Sequence, residues 1–185
     1  MQIIREYSSA EMVLAWLKSE IASPRFGTDL KGALNELGAS IDLITRADIN
    51  NEDENNIRFK VLRHYRKWID FDIESYTWKL ITLNQSEVGE LQYIDYSYWN
   101  ELSNHTRLVK AAVENVKTGQ QVFDVPNDNF YSIAAGFEND QTFEPIVVIT
   151  KHGINEIIEG HARATGYALA THTPNPLQVI IGTSR

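Results

Sequence analysis

Residues 145–170 read PIVVITKHGINEIIEGHARATGYALA, and this stretch decides the fold. Pro145 to Thr150 is a nearly continuous apolar run of strand length, as expected of a strand covered on both faces. Lys151-His152-Gly153 turns the chain, and Asn155 to Glu159 returns as a second strand, paired to the first as a hairpin. Gly160 then opens an alanine-rich helix that runs to about Ala170. Pro174 and Pro176 reset the chain, and Leu177 to Ile181 reads as a last strand. Strands and helices intermix, so the class is α/β or α+β with a small mixed sheet and flanking helices.

Upstream, Ser8 or Ser9 caps a helix over 8–22, with Glu11 in its first turn and Met12, Leu14, Ala15, Trp16, Leu17 and Ile21 on a broad apolar face. Pro24 ends it. A second short helix runs from Asp29 to Leu37, stopped by Gly38. The polar stretch from Arg46 to Asn56 reads as an exposed loop. Beyond it, Ile57, Phe59 and Val61 alternate like a strand, yet Leu62, Tyr65 and Ile69 equally continue a helix, and periodicity does not choose between the two. Trp78–Leu83 and Leu91–Ile94 read as strands. Helices follow from Tyr98, broken near Ser103-Asn104, then over Arg107–Lys117 with Gly119 as its stop, and over Asn127–Phe137. Residues 1–56 are therefore expected to form a helical extension, and residues 57–185 the α/β domain.

Composition removes several functions. The 185 residues are 43% hydrophobic, enough for a sizeable core without cross-links. There is no cysteine, which excludes a disulfide framework, a thiolate zinc site, an iron–sulfur cluster and a cysteine nucleophile. The formal charge is −8, so there is no global field for non-specific duplex binding. No apolar run reaches the ~20 residues of a membrane helix, and the first residues lack the apolar core of a signal peptide. A cytoplasmic protein is the expectation.

The chemistry gathers at Ile157 to Thr165. Gly160 permits a tight turn with positive φ and close backbone approach. The next amides head a helix, where N–H groups lack internal partners and the dipole favours an anion. Arg163 adds a bidentate grip on phosphate or carboxylate. His161 donates a hydrogen bond or moves a proton near neutral pH. Glu159 is a candidate Mg²⁺ ligand or general base. Spacing alone equally fits a strand residue, a helix cap and a solvated arginine.

The motif Glu159-Gly160-His161-Ala162-Arg163, followed by the small-residue helix Ala164 to Leu169, resembles the ParB/sulfiredoxin superfamily. The apolar hairpin before it fits as well. The likeness extends over about residues 78–182 and is specific over 145–170. It implies a compact α/β domain that binds phosphate groups, usually of a nucleotide. Family members include nucleoside triphosphatases of chromosome partition, small-molecule kinases, nucleases and sulfiredoxins. The missing cysteine rejects the sulfiredoxin branch. Ala162 stands where partition proteins carry one of two arginines and where the kinases carry a second histidine; no DNA-reading domain is expected after residue 185. The resemblance implies Glu159 and His161 as catalytic residues and Glu159 as the Mg²⁺ ligand. Gly160, Arg163 and Thr165 would form the phosphate site, joined by Thr106 and Arg107 from an earlier converging segment.

That earlier segment, Ser103-Asn104-His105-Thr106-Arg107, has a second reading as ordinary capping. Only seven basic residues lie between 78 and 185, and two of their three arginines are Arg107 and Arg163. The cluster Arg58, Lys60, Arg63, Arg66 and Lys67, beside Phe59, Tyr65 and Trp68, either tracks a nucleic-acid backbone or forms a solvated face balanced by nearby acids. Tyr93 to Trp99 either lines a pocket or packs the core. His64, His152 and His172 have no metal-ligand spacing. The expected function is binding of a nucleotide or small phosphorylated molecule, with hydrolysis or transfer of a phosphoryl group. The alternative is a nucleotide- or protein-binding module that kept the fold without the chemistry.

Overall fold

A computed structural model describes residues 1–184, which form nine helices and a six-stranded mixed sheet, an α/β architecture. They divide into two compact units, residues 7–78 and residues 1–6 with 79–184.

The first unit is helical. It contains α1 (Ser9–Ile21), α2 (Gly27–Glu36), the single turn α3 (Asp42–Thr45) and α4 (Glu52–Tyr65). Ser8 caps α1 reciprocally: Glu11 N–H donates to Ser8 Oγ at 3.1 Å, and Ser8 N–H to Glu11 Oε2 at 2.7 Å. The apolar stripe of α1 puts Met12, Val13, Trp16 and Leu17 inside, against α2 and α4. Residues 52–56 are a correction to the sequence reading, which made them loop. Asn51 caps α4 by accepting Glu54 N–H, and Glu52, Asp53 and Glu54 sit in its first turn, where the helix dipole favours negative charge. The open choice over 57–65 resolves as helix.

The second unit holds the sheet. Its strands are β1 (Gln2–Tyr7), β2 (Tyr76–Leu83), β3 (Gln92–Tyr93), β4 (Ile146–Lys151), β5 (Ile154–Glu159) and β6 (Leu177–Ser184), in the spatial order β1-β2-β6-β4-β5-β3. The boundary with the helical unit falls at Tyr7 and again within β2. The strand β1 is absent from the sequence reading. β4 and β5 form the expected hairpin, with Ile149 opposite Glu156, joined through His152 and Gly153 at φ 51° and 79°. β4 runs parallel to β6, and β3 runs parallel to β5.

Five helices pack in this unit: α5 (Gln85–Gly89), α6 (Ser97–Leu102), α7 (Val109–Lys117), α8 (Asp128–Glu138) and α9 (His161–Leu169). α9 carries the chain from β5 back to β6 and packs against α5, α7 and α8. Ile146, Val148, Ile157, Ala164, Tyr167 and Val179 share one buried cluster. Gly166 makes the α8 contact close, since a Cβ there would meet Ile133 Cγ2 at 2.5 Å. No helix among the described residues is long and apolar enough to cross a membrane.

Candidate functional site

The β5–α9 handover is built by three local features. The hairpin register shifts between Val147 and Val148, so β5 has one extra residue there, and Ile157, Ile158 and Glu159 are buried in succession. A bulge of this kind re-aims side chains at a strand end. Gly160 then takes φ 89°, the left-handed region that favours glycine. A Cβ on it would meet Ile146 Cγ2 at 2.5 Å and an Arg163 guanidinium nitrogen at 2.8 Å. Finally, α9 starts at His161 without a side-chain cap, and Ala164 N–H donates to Gly160 O at 2.9 Å.

Glu159, the last residue of β5, and Arg163, in the first turn of α9, are ion-paired through Oε2 and a terminal guanidinium nitrogen. Their side chains are only 10% and 13% exposed. Removing one member of such a pair strands the other's charge in low dielectric and costs about 3–5 kcal/mol. The pair therefore holds the arginine ready while neutralising it, and an incoming phosphate meets Glu159 as a competitor for the same guanidinium.

His161 lies against aromatic faces. Its ring stacks on Trp99 at 5.2 Å and 14°, and on Tyr93 at 6.0 Å and 26°, while Tyr93 and Trp99 stack at 4.5 Å. Thr165, fully buried, donates its hydroxyl hydrogen to His161 O at 2.8 Å. A hydroxyl has one hydrogen, so the 2.8 Å contact between Thr165 Oγ1 and the Tyr93 hydroxyl has Tyr93 as donor. Burial pushes the Tyr93 phenol well above its ordinary range and keeps it a donor. Thr165 thus fixes the first turn of α9 from inside.

The segment 103–107 has another construction than the sequence implies. Asn104, His105 and Arg107 all take positive φ, at 50°, 61° and 62°. Arg107 does not open α7, which begins at Val109 after Leu108. Its Nε donates to Tyr93 O at 2.8 Å, and its guanidinium pairs with Glu156 on β5. Thr106 Oγ1 donates to Ser103 O at 2.7 Å and accepts Leu108 N–H at 3.2 Å. Arg107 and Arg163 thus each pair with a β5 carboxylate, Glu156 and Glu159. The sequence reading missed Glu156, Tyr93 and Trp99 as members of this region; the aromatic run 93–99 was the available signal.

The basic cluster of residues 58–67 divides. Arg58 is 1% exposed and donates to Leu43 O and Asp48 O, both at 2.8 Å. Arg66 pairs with the buried Glu20, which also accepts from Trp16 and Tyr65. Lys60, Arg63 and Lys67 are exposed. A separate cavity of about 250 Å³ lies among Phe137, Asp140, Phe143, Pro174, Pro176 and Leu177, and none of the sequence-predicted residues lines it. Among the described residues no three His, Asp or Glu side chains gather as a metal cage. With Glu159 held by Arg163, these side chains alone do not fit a resident Mg²⁺. No family model, curated protein or solved structure matches the chain.

Proposed function

We propose that the β5–α9 handover binds the phosphate of a nucleotide or small phosphorylated molecule, in a domain of the ParB/sulfiredoxin kind, and that it hydrolyses or transfers a phosphoryl group. The observation that carries this reading is the buried Glu159–Arg163 pair at the uncapped start of α9. A phosphate at this helix start takes the Arg163 guanidinium, since arginine matches phosphate geometry bidentately and the dipole favours the anion. Glu159 loses its counter-ion and becomes the general base. It accepts the proton of a water or hydroxyl whose oxygen bonds to phosphorus as the bond to the leaving oxygen breaks. His161, the first residue of α9, is assigned to charge stabilisation there. Mg²⁺ would arrive with the nucleotide's phosphates, the usual way that ion is held.

A second reading, a binding module without chemistry, draws on the same pair. Glu159 and Arg163 neutralise each other, and the Thr165 hydroxyl is committed to Tyr93 and His161 O.

Two variants decide. Because Glu159 competes with phosphate, Glu159→Gln is expected to raise affinity for inorganic phosphate and nucleotides several-fold while removing turnover. Arg163→Ala is expected to remove binding. Thermal-shift titrations with phosphate and nucleotides, with and without Mg²⁺, read the binding by mass action. Unchanged binding in Arg163→Ala sinks the site. Binding without turnover in the wild type leaves the module reading.

A further inference from the structure

Just past α8 the chain breaks a local rule twice. Asn139 ends the helix, Asp140 N–H donates to Phe137 O at 3.2 Å, and Gln141 N–H reaches back to Gly136 O at 2.9 Å. This pair of bonds needs a left-handed residue between helix and loop, a place that suits glycine or asparagine. Asp140 fills it at φ 60°. Aspartate carries backbone strain there, and it sets a carboxylate against the negative end of the helix dipole. The last turn of α8 has no basic residue to offset that charge. Local physics thus disfavours the acid at this position on two counts, as happens where a side chain serves a function.

The carboxylate lines the cavity of about 250 Å³, whose walls all belong to the sheet unit. Among the described residues it is the one charged side chain lining that cavity. Asn175 Nδ2 donates to Asp140 Oδ1 at 2.6 Å, which holds the carboxylate in place and leaves Oδ2 to accept a further bond. The rest of the lining includes Phe137 and Phe143, with ring centroids 4.4 Å apart, and Pro174, Pro176 and Leu177. Gly136 lets the Phe143 ring lie close to α8, since a Cβ there would meet Phe143 Cζ at 2.8 Å. Carboxylate, helix C-terminus and aromatic rings all favour a positive charge. A divalent ion gains nothing from rings and prolines, whereas an amine on an apolar body uses both. We propose that this cavity binds a small organic monocation, a primary amine on a compact apolar body. Its ammonium donates to Asp140 Oδ2, and its body lies against Phe137 and Phe143. The formal charge of −8 draws such a cation towards the molecule. The cavity shares no residue with the β5–α9 handover, so it binds its ligand whether or not that site takes phosphate.

Phenethylamine is the probe, and phenethyl alcohol, the same body without the charge, is its control. Amide chemical shifts of the full chain report the binding of each. The amine is expected to move the resonances of residues 137–143 and 174–178, and to bind at least about tenfold more tightly than the alcohol. Asp140→Asn keeps an acceptor for Asn175 and suits the left-handed position better. That variant is expected to melt no lower than the wild type and yet to bind the amine at least about tenfold more weakly. A purely structural role for Asp140 would leave amine binding unchanged. Should the variant fail to fold, amine against alcohol on the wild type decides. No binding at millimolar amine, shifts confined to other residues, equal binding of the alcohol, or unchanged amine binding in Asp140→Asn each overturn the proposal.

Discussion

At Gly160 a single methyl group meets two obstacles. It would occupy φ 89°, and it would lie 2.5 Å from Ile146 Cγ2. Backbone strain and overpacking each cost about 1–3 kcal/mol, so Gly160→Ala is expected to destabilise the sheet unit by about 2–6 kcal/mol in denaturant titrations. It would also press on Arg163, so the response to phosphate should fall with it. Tyr93 sets a pH limit. Its phenol is raised by burial, so the folded value lies above the unfolded one, near 10. Its contribution is then complete below about pH 10 and is lost as pH rises towards the folded value. Tyr65 adds in the same direction, raised by burial and by Glu20 beside it. Stability measured against pH should therefore fall on the alkaline side. Tyr93→Phe should lower stability at neutral pH by about 1 kcal/mol and make the alkaline fall shallower without abolishing it.

Helix caps carry the corresponding argument for elements. Asn51 accepts Glu54 N–H ahead of three acids in the first turn of α4, and Asn51→Ala is expected to cost about 1 kcal/mol. Chemical denaturation followed by far-UV circular dichroism measures it. The same helix shows where sequence reading stops. Its start is so acidic and rich in asparagine that it reads as loop, because the residues that suit a helix N-terminus are those that suit solvent. By contrast β4, β5 and α9 were legible: a run buried on both faces is apolar at every position, and Gly160 marks the turn between strand and helix. β1 was not, since Ile3 and Ile4 are adjacent and both exposed, so no alternation announces a strand. At the site, Glu159, Gly160, His161 and Arg163 were found as neighbours in sequence. Their pairing, and the Arg107–Glu156 contact, depend on positive φ at 104, 105 and 107 and on the register of β3 with β5. Local composition does not encode these.

For the molecule as a whole, β1 matters more than its length suggests. It precedes the helices of residues 7–78 in the chain, yet it belongs to the unit that contains residues 79–184. Removing residues 1–6 takes the outermost strand from the sheet and leaves β2 as the edge. The exposed sequence would be TWKLITL, which is β-prone and carries one charge, the composition of an aggregation-prone segment. The truncated chain is expected to lose hydrogen-exchange protection over Lys79–Leu83 and to aggregate on warming. Helix α1 keeps its cap at Ser8, so the amides of residues 9–21 should stay protected. The full-length Ile3→Lys/Ile4→Lys variant separates loss of the strand from a change of its exposed side chains, because it keeps β1 beside β2 and charges one exposed position on each face. It should retain protection over Lys79–Leu83 and scatter less light on heating than the truncation. Equal aggregation of the two would mean that β2 is not the segment β1 protects.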